Sequence, residues 1–370
     1  MKVKMADLQA GYLPIKQEID DAISKVLTRT DFILGEDVTR FENEFAAYCR
    51  TKYAVGVASG TDALKIALLA AGIEKGSEVI TTPFTFIATA GSIVHAGGKP
   101  VFADIKADTF NIDPKEIEKK ITKNTKAILP VHLYGQPAEM DEIIELARKN
   151  NLKVIEDCAQ AFTAKYGEAP VGSMGDAGAY SFFPSKNLGC FGDGGMIATN
   201  DKSIYDKCLS LRNHGQKERY SSDIHGYNSR LDTIQAAVLS VKLRYIDEWT
   251  GKRNAIARKY SDTLRRISTT VPVVKENCRH SFNYYTIRFK NSQLRDAVQK
   301  QLAENGVGCQ VYYPKCLHLQ PVYSYLGYKK GDMPVSERIQ DEVLSLPMYP
   351  EMTDEQVEYV ISNVIKGCTI

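Results

Sequence analysis

The strongest constraint on the fold is an alternation of short apolar runs with amphipathic segments between residues 53 and 199. The apolar runs have the length and composition of buried strands, and several of the segments between them have the period of helices. The predicted strands cover residues 53–58, 78–82, 100–105, 127–133, 152–156, 178–183 and 196–199. This alternation predicts βαβ units and therefore an α/β fold, with a mostly parallel central sheet and helices on both faces.

The flanking regions predict further elements. Amphipathic helices are expected at residues 14–27 and 38–48, before the first strand. The polar, glycine-bearing stretch at 213–231 is interpreted as a functional or interface loop. Asp232 is expected to cap a long helix that reaches past Trp249 and has a break near Gly251.

The end of the chain predicts a smaller unit. Strands are expected at residues 282–289 and 309–313, and helices at 294–305 and 353–365. We therefore expect two domains: a large α/β domain with its N-terminal helices over residues 1–249, and a small C-terminal α+β domain over residues 250–370.

Composition excludes several classes of protein. A net charge of +2 over 370 residues gives no reason to expect nucleic acid or an anionic membrane as a partner. The eight cysteines are irregularly spaced without a C-x-x-C pair, and the first residues carry no secretory apolar run, so we expect free thiols and a cytoplasmic protein. The six histidines are scattered, and no metal site is predicted.

Chemically distinctive residues follow the predicted strands. Ser59-Gly60-Thr61, Phe84 to Phe86, Asp157 to Gln160 and the loop Ser181 to Gly195 all come directly after apolar runs. Ligands of open α/β sheets bind outside the carboxyl ends of the strands. This shared placement predicts one active site at that edge of the sheet.

Lys186 is the most conspicuous residue of the loop. It is the only cation between Lys165 and Lys202, and aromatic residues, a proline and several glycines surround it. Burial lowers the pKa of a lysine toward the reactive neutral amine, which suits Schiff-base chemistry. A glycine-rich hairpin with an incidental lysine is the alternative interpretation.

Three of these features together match the needs of pyridoxal 5'-phosphate. That cofactor requires a lysine for its aldehyde, a carboxylate for its ring nitrogen and a helix N-terminus for its phosphate. Asp157 is the candidate carboxylate, and Phe86 or Phe84 could stack on the ring. Each feature also has a plain structural interpretation: a helix cap at Ser59 or Thr61, a strand-end charge at Asp157 and core packing for the phenylalanines.

Three motifs carry a resemblance to a known family. They are Ser59-Gly60-Thr61-Asp62-Ala63-Leu64, Ile155-Glu156-Asp157-Cys158-Ala159-Gln160-Ala161, and the loop from Ser181 through Pro184, Lys186 and Leu188-Gly189 to Gly192-Asp193-Gly194-Gly195. In this order they resemble the DegT/DnrJ/EryC1/StrS family of sugar aminotransferases. The resemblance implies the fold-type-I aminotransferase architecture, a pyridoxal phosphate cofactor and a homodimer with shared active sites.

The resemblance also implies roles for individual residues. Lys186 is similar to the lysine that binds the cofactor and moves protons, and Asp157 to the partner of the pyridine nitrogen. Gln160 resembles the residue beside the 3-oxygen of the cofactor, and Phe86 the aromatic residue that stacks on its ring.

Phosphate and substrate contacts are implied in the same way. Gly60, Thr61 and Ser181 match phosphate-binding positions. Asn228 resembles the residue that reaches the phosphate of the neighbouring subunit. Arg230, Tyr312 and Tyr313 resemble positions that contact the nucleotide-linked sugar.

The substrates are implied by the resemblance alone. They are L-glutamate as amino donor and a nucleotide-linked keto-hexose, with the 3-keto-sugar branch most similar around Asn228 to Ala237. The loop around Lys186 is especially similar to aminotransferases of UDP-2-acetamido-2-deoxy-3-oxo-glucuronate. The alternatives are a dTDP-3-keto-6-deoxyhexose or a 4-keto sugar as substrate, a pyridoxal phosphate-dependent sugar dehydratase, and a non-catalytic sensor on the same fold.

Overall fold

A seven-stranded sheet forms the centre of the large domain in this computed structural model, which describes residues 1–218, 220–267 and 269–369. Its strand order is β1-β9-β8-β5-β4-β2-β3, and β9 runs antiparallel to both of its neighbours while the other pairs are parallel. Its strands are β1 (Tyr53–Val57), β2 (Glu78–Thr81), β3 (Lys99–Phe102), β4 (Thr125–Leu129), β5 (Lys153–Asp157), β8 (Ala177–Ser181) and β9 (Gly195–Thr199). The predicted mostly parallel α/β sheet is therefore confirmed.

Shorter strands build three small sheets. A second sheet has the order β12-β14-β15, a third has the order β13-β6-β7, and β10 pairs with β11 within the predicted loop 213–231. These strands are β6 (Lys165–Tyr166), β7 (Ala169–Pro170), β10 (Gln216–Glu218), β11 (Ser221–Ser222), β12 (Thr269–Thr270), β13 (Cys278–Arg279), β14 (Tyr285–Phe289) and β15 (Val343–Leu346).

Helices cover both faces of the central sheet and complete the C-terminal part. They are α1 (Leu8–Tyr12), α2 (Lys16–Arg29), α3 (Glu36–Cys49), α4 (Gly60–Ala70), α5 (Ile87–His95), α6 (Pro114–Glu118), α7 (Met140–Lys149), α8 (Lys202–Arg212), α9 (Thr233–Leu243), α10 (Ile246–Leu264), α11 (Ser292–Glu304), α12 (Pro334–Glu342) and α13 (Asp354–Cys368). Short 3₁₀ turns lie at Leu13–Ile15, Leu133–Gly135, Leu317–Leu319 and Pro321–Leu326. No helix among the residues described combines the length and the apolarity needed to cross a membrane.

The predicted break in the long helix was placed wrongly. The chain interrupts the helix at Arg244 and Tyr245, between α9 and α10, whereas Gly251 lies inside α10. A helical glycine costs only about 1 kcal/mol relative to alanine, so α10 continues through it. Asp232 does occupy the N-cap position of α9, although its side chain caps no amide.

The predicted strand at residues 309–313 was also wrong. Only Gln310 pairs with a neighbouring strand, through a bridge to Ser345. The next residues turn away, because the ring of Tyr312 packs 4.4 Å from the Tyr284 ring centroid and Tyr313 bonds to Gln160. The domain boundary at 249/250 stays a prediction; α10 runs through it.

Candidate active site

A cavity of about 440 Å³ lies at the carboxyl ends of the central strands. Four chain segments that follow β1, β2, β5 and β8 form most of its wall, and tyrosines of the C-terminal part close one side. Of the eleven predicted site residues, it is lined by Gly60, Thr61, Phe86, Asp157, Gln160, Ser181, Lys186, Tyr312 and Tyr313. The fold thus brings together residues that are up to 253 positions apart in the sequence, from Gly60 to Tyr313 (313 − 60).

Asp157 is the last residue of β5 and is buried. One carboxylate oxygen, Oδ2, accepts a hydrogen bond from the Thr89 hydroxyl at 2.8 Å, and Oδ1 accepts one from the Ala159 amide at 3.1 Å. Burial raises the pKa of the carboxyl group, while Thr89, Ala159 and the charge of Lys186 act in the opposite direction. The two hydrogen-bond donors and the nearby Lys186 cation therefore favour the anionic form of Asp157, whereas burial favours the neutral form.

Lys186 lies in the loop after β8 and is half-buried at the wall of the cavity. Burial lowers the pKa of its amine to about 8, against a smaller opposing effect of the Asp157 charge. Its side chain has no carboxylate within ion-pair distance among the described residues. The amine is therefore available in its neutral form near physiological pH, as a nucleophile or proton acceptor requires.

The N-terminus of α4 opens into the same cavity. Ser59 caps the helix, since its hydroxyl accepts a bond from the Asp62 amide at 3.1 Å, which confirms the plain capping interpretation for that residue. The amides of Gly60 and Thr61 occupy the first turn and have no acceptor within the helix. They point the positive end of an 11-residue helix at the cavity, an arrangement that favours an anion.

Gly60 is required by the close approach of Ser181. A Cβ at position 60 would lie 2.5 Å from the Ser181 Cβ, a distance at which one of the two chains must move. The absence of a side chain at Gly60 lets the end of β8 lie against the first turn of α4. The serine hydroxyl is thereby held next to the helix amides, where a phosphate would need a further donor.

Gln160 and Tyr313 form the opposite wall. The Gln160 amide oxygen accepts from the Tyr134 backbone N–H at 2.9 Å, and its nitrogen donates to the Tyr313 hydroxyl at 2.7 Å. Phe86, at the N-cap of α5, has 53% of its surface exposed and lies 6.1 Å from the Tyr313 ring. Phe84 is fully buried in the core, so of the two predicted stacking candidates only Phe86 lines the cavity, where Phe183 is also exposed.

Asn228 and Arg230 lie apart from the Lys186 cavity. They line a second cavity of about 380 Å³ together with Ala58, and Asp193 lies at the wall of both cavities. The Arg230 guanidinium donates to the Asn213 side chain at 3.5 Å, a long bond that leaves most of its donors free for another partner. Within one chain these two predicted site residues are therefore not assembled with the other nine.

A buried His132–Glu156 pair lies behind the site. His132 Nδ1 accepts from the Ala138 amide at 3.0 Å, so its Nε2 carries the hydrogen that faces Glu156 at 2.9 Å. Together with Cys158 these side chains come close enough to hold a metal ion. The hydrogen bonds already occupy both nitrogens of the imidazole, and Glu156 also accepts three backbone amides, from Gly172, Met174 and Gly175.

Two threonines of the site were missed from the sequence. Thr89 contacts Asp157 directly, and its hydroxyl lies 3.1 Å from that of Thr85. The only available signal was their spacing of four residues in the segment after the predicted strand 78–82, a spacing that would place both side chains on one face of a helix. Tyr284, which also lines the cavity, was predicted only as part of a strand.

The donor set fits pyridoxal phosphate. A lysine with a lowered pKa, a buried carboxylate, an exposed aromatic ring and a helix N-terminus with a neighbouring hydroxyl surround one cavity. Each is the protein group that one part of the cofactor needs: aldehyde, ring nitrogen, ring face and phosphate.

Curated relatives match nearly the whole chain. It is 50% identical to the pleiotropic regulatory protein of Geobacillus stearothermophilus, with 98% of each chain covered. It is 42% identical to a UDP-N-acetyl-3-dehydro-alpha-D-glucosamine 3-aminotransferase of Acidithiobacillus ferrooxidans, over 98% of this chain and 97% of the relative. It is 39% identical to the UDP-2-acetamido-2-deoxy-3-oxo-D-glucuronate aminotransferase of Pseudomonas aeruginosa, over 97% of this chain and 98% of the relative.

Solved structures of aminotransferases are similar to this chain over its whole length. Streptomyces venezuelae DesV in complex with a ketimine intermediate superimposes with a TM-score of 0.97 at 40% identity, over 100% of this chain and 99% of that one. Bacillus subtilis NtdA with bound pyridoxamine phosphate superimposes with a TM-score of 0.91 at 31% identity, over 100% of this chain and 86% of that one. The family profile matches residues 14–365. The predicted family, fold class, enzyme class and cofactor are confirmed, and the chain belongs to the DegT/DnrJ/EryC1/StrS aminotransferase family.

Proposed function

We propose that this protein transfers the amino group of L-glutamate to C-3 of a nucleotide-linked keto-hexose, with pyridoxal phosphate bound to Lys186. UDP-2-acetamido-2-deoxy-3-oxo-glucuronate is the first candidate substrate. The observation that carries the proposal is that Lys186, Asp157 and the N-terminus of α4 line one cavity. The same cavity offers tyrosines and an exposed phenylalanine, which suit the apolar faces of a sugar ring and a cofactor ring.

The residues of the cavity divide the chemistry among them. Pyridoxal phosphate, when bound, supplies an electron sink for the carbon next to the substrate nitrogen. Lys186 would take the proton from that carbon as a neutral amine and return it to the carbon on the other side of the nitrogen, which a pKa of about 8 permits in both directions. Asp157 holds the ring nitrogen protonated, and its buried bonds to Thr89 and Ala159 keep the carboxylate oriented.

Specificity for C-3 is supported by the relatives. Two of those described above act, by their names, on 3-keto sugars linked to UDP. The similarity of this chain to them covers the Asn228 to Ala237 segment as well as the Lys186 loop, since the alignments span at least 97% of it. A dTDP-3-keto-6-deoxyhexose is the second candidate substrate, and a 4-keto sugar is the third.

We further propose that two copies of the chain share their active sites. Asn228 and Arg230 face a cavity of their own, and each would meet the phosphate or the nucleotide of the neighbouring copy. Several large apolar side chains are exposed in the single chain, and such a dimer would offer them a cover. They are Phe32, Ile33, Leu34, Phe86, Phe183 and Phe191, which are between 38% and 53% exposed, and Phe86 and Phe183 lie at the wall of the Lys186 cavity.

The substrate can be identified with the pyridoxamine phosphate form of the enzyme. This form is mixed with a panel of nucleotide-linked 3-keto and 4-keto sugars, and its absorbance is followed as the amine is consumed. Rapid consumption with the UDP-3-oxo-glucuronate derivative supports the first candidate, and consumption only with a 4-keto sugar contradicts the C-3 assignment.

The rival classes give different products in the same assay. A sugar dehydratase would yield a deoxygenated sugar instead of an amino sugar from the same substrate. The name of the Geobacillus relative describes a regulatory protein. A non-catalytic regulator would bind the cofactor but leave every sugar unchanged. The half-buried Lys186 amine beside a buried Asp157 favours transamination, because neither a scaffold nor a sensor needs a proton-transferring lysine.

A further inference from the structure

Three buried oxygen-bearing side chains form a continuous chain at the wall of the Lys186 cavity. Thr85, Thr89 and Asp157 have 2%, 1% and 4% of their surface exposed, so solvent cannot replace any of their bonds. The Thr85 and Thr89 hydroxyls are 3.1 Å apart, and the Thr89 hydroxyl is 2.8 Å from Asp157 Oδ2. We call the two hydroxyls the threonine relay.

The carboxylate of Asp157, at the end of the threonine relay, determines which hydroxyl donates each hydrogen bond. An ionised carboxylate can only accept, so the Thr89 hydrogen must point at Asp157 Oδ2. The Thr89 oxygen is then an acceptor, and the hydrogen between the two threonines must come from Thr85. A protonated Asp157 could donate a hydrogen bond to Thr89 instead of accepting one. The arrangement in which both threonines donate toward Asp157 therefore stabilises the anionic carboxylate.

The relay also leaves room for one more donor. Asp157 Oδ1 accepts from the Ala159 amide and Oδ2 accepts from Thr89, which gives each oxygen one protein donor. A carboxylate has about four lone-pair sites, so a ring N–H can still bind on the cavity side. Thr89 belongs to α5 and Asp157 ends β5, and the bond therefore ties the carboxylate at the end of one strand to the helix that follows another strand, β2.

We propose that Thr89, oriented by Thr85, is the positioning residue that holds Asp157 ionised and aimed at the pyridine nitrogen. The inference rests on the proposed function, because it assigns the ring nitrogen as the partner of Asp157. It adds to that function a residue outside the three motifs, which acts only through the carboxylate.

The groups that face Asp157 from other elements are few. Lys186 lowers the pKa of its carboxyl group by its charge, and the His132 imidazole and the Tyr313 phenol are the other titratable groups close to it. Loss of the Thr89 donor would raise the pKa of Asp157, so the carboxylate would become protonated at a higher pH. Cofactor binding that depends on the anion would then fail earlier as the pH falls.

The test compares Thr89→Val with Thr89→Ser in the full-length enzyme. Valine keeps the shape of threonine without the hydroxyl, whereas serine keeps the hydroxyl without the methyl group. We measure pyridoxal phosphate affinity by titration at several pH values, together with the rate of the half-reaction with glutamate. Thr89→Val should lose about tenfold in affinity at neutral pH, since bonds to charged groups are among the stronger ones, and the acid limb of its profile should move to higher pH. Thr89→Ser should stay close to the parent.

Thr81→Val is the matched control. Thr81 is an equally buried threonine whose hydroxyl donates to the Leu129 carbonyl at 2.8 Å, without contact to Asp157. The Thr81→Val substitution should lower the melting temperature of the protein without moving the pH profile of cofactor binding. Should Thr89→Val not fold, Thr85→Val replaces it, with a smaller shift of the acid limb in the same direction.

Three results would overturn the inference. One is a Thr89→Val enzyme, or its Thr85→Val substitute, with parental affinity and acid limb. Another is a Thr89→Ser enzyme as impaired as Thr89→Val, which would assign the effect to packing. The third is a parent enzyme that binds no pyridoxal phosphate, which would also end the proposed function; the first two leave that function intact.

Discussion

At the scale of single residues, the site depends on how burial acts on two opposite charges. The same desolvation that lowers the pKa of the Lys186 amine raises that of the Asp157 carboxyl. Local hydrogen bonds oppose the effect of burial on Asp157, which has Thr89 and Ala159 as donors, whereas Lys186 has no ion-pair partner in the part of the chain described. One group is thereby kept reactive and the other kept charged.

The pKa of Lys186 predicts the pH dependence of cofactor attachment. Only the neutral amine attacks an aldehyde, and its fraction rises about tenfold for each pH unit below the pKa. With a pKa of about 8, the rate of pyridoxal phosphate uptake by the apoenzyme should rise up to roughly pH 8 and then level off. Stopped-flow absorbance measures this rate. A rate that keeps rising to pH 10 would show an ordinary, solvated lysine.

Replacement of the carboxylate should separate binding from chemistry. Asp157→Asn keeps the shape of the side chain but removes the charge that holds the ring nitrogen protonated. We expect residual cofactor binding and a half-reaction with glutamate that is slower by orders of magnitude, because a neutral pyridine is a poor electron sink. Single-turnover kinetics with the loaded variant test this. A rate equal to that of the parent would make Asp157 a structural residue.

At the scale of elements, the segments that follow the carboxyl ends of the central strands provide most residues of the site. The periodicity of the sequence predicted the central sheet and, through it, the convergence of residues from Gly60 to Lys186 at one edge. The break at Arg244 and the turn at Tyr312 were missed, because each depends on packing against distant residues rather than on local propensity. Thr89 was missed for the same reason: its partner lies 68 residues along the chain.

The contact between α4 and β8 predicts the effect of a single methyl group. Gly60→Ala would place a Cβ 2.5 Å from the Ser181 Cβ, so the end of β8 must move away from the helix amides. We expect a loss of about 1–3 kcal/mol in the free energy of unfolding, as overpacking generally costs, and weaker binding of pyridoxal phosphate. Denaturant unfolding and cofactor titration measure the two effects.

Gly251→Ala is the control for that substitution. Its Cβ would meet no atom within 4 Å, and the residue lies inside α10. Alanine should stabilise the helix by up to about 1 kcal/mol without a change in cofactor affinity. If Gly60→Ala behaved like Gly251→Ala, the close approach of Ser181 would have no part in phosphate binding.

At the scale of the whole molecule, the eleven predicted site residues fall into two separate groups. Nine predicted residues line the Lys186 cavity, but Asn228 and Arg230 line another one. The proposed sharing of sites between two copies of the chain would bring the two groups together, and the sequence of one chain carries no direct signal for such an arrangement.

Mixed dimers can test the sharing of sites. Lys186→Ala and Arg230→Ala enzymes should each be poor at aminating the sugar, whereas Arg230→Ala alone should keep a nearly normal half-reaction with glutamate. If Arg230 serves the neighbouring subunit, mixing and refolding the two variants should restore up to half of the sites in mixed dimers, each with an intact Lys186 and an intact Arg230 from opposite chains. A mixture without any recovered turnover would place Arg230 in its own subunit's site or outside it.

The most direct test of the account is to locate the cofactor on the chain. Borohydride reduction of the loaded enzyme, followed by digestion and mass spectrometry, identifies the lysine that carries the phosphopyridoxyl group. Lys242 is the natural competitor, because burial lowers the pKa of its amine to about 8 as well, and it lines a neighbouring cavity with Lys186. We predict the modification on Lys186 alone; modification of Lys242, or of no lysine, would contradict the assignment on which the proposed function depends.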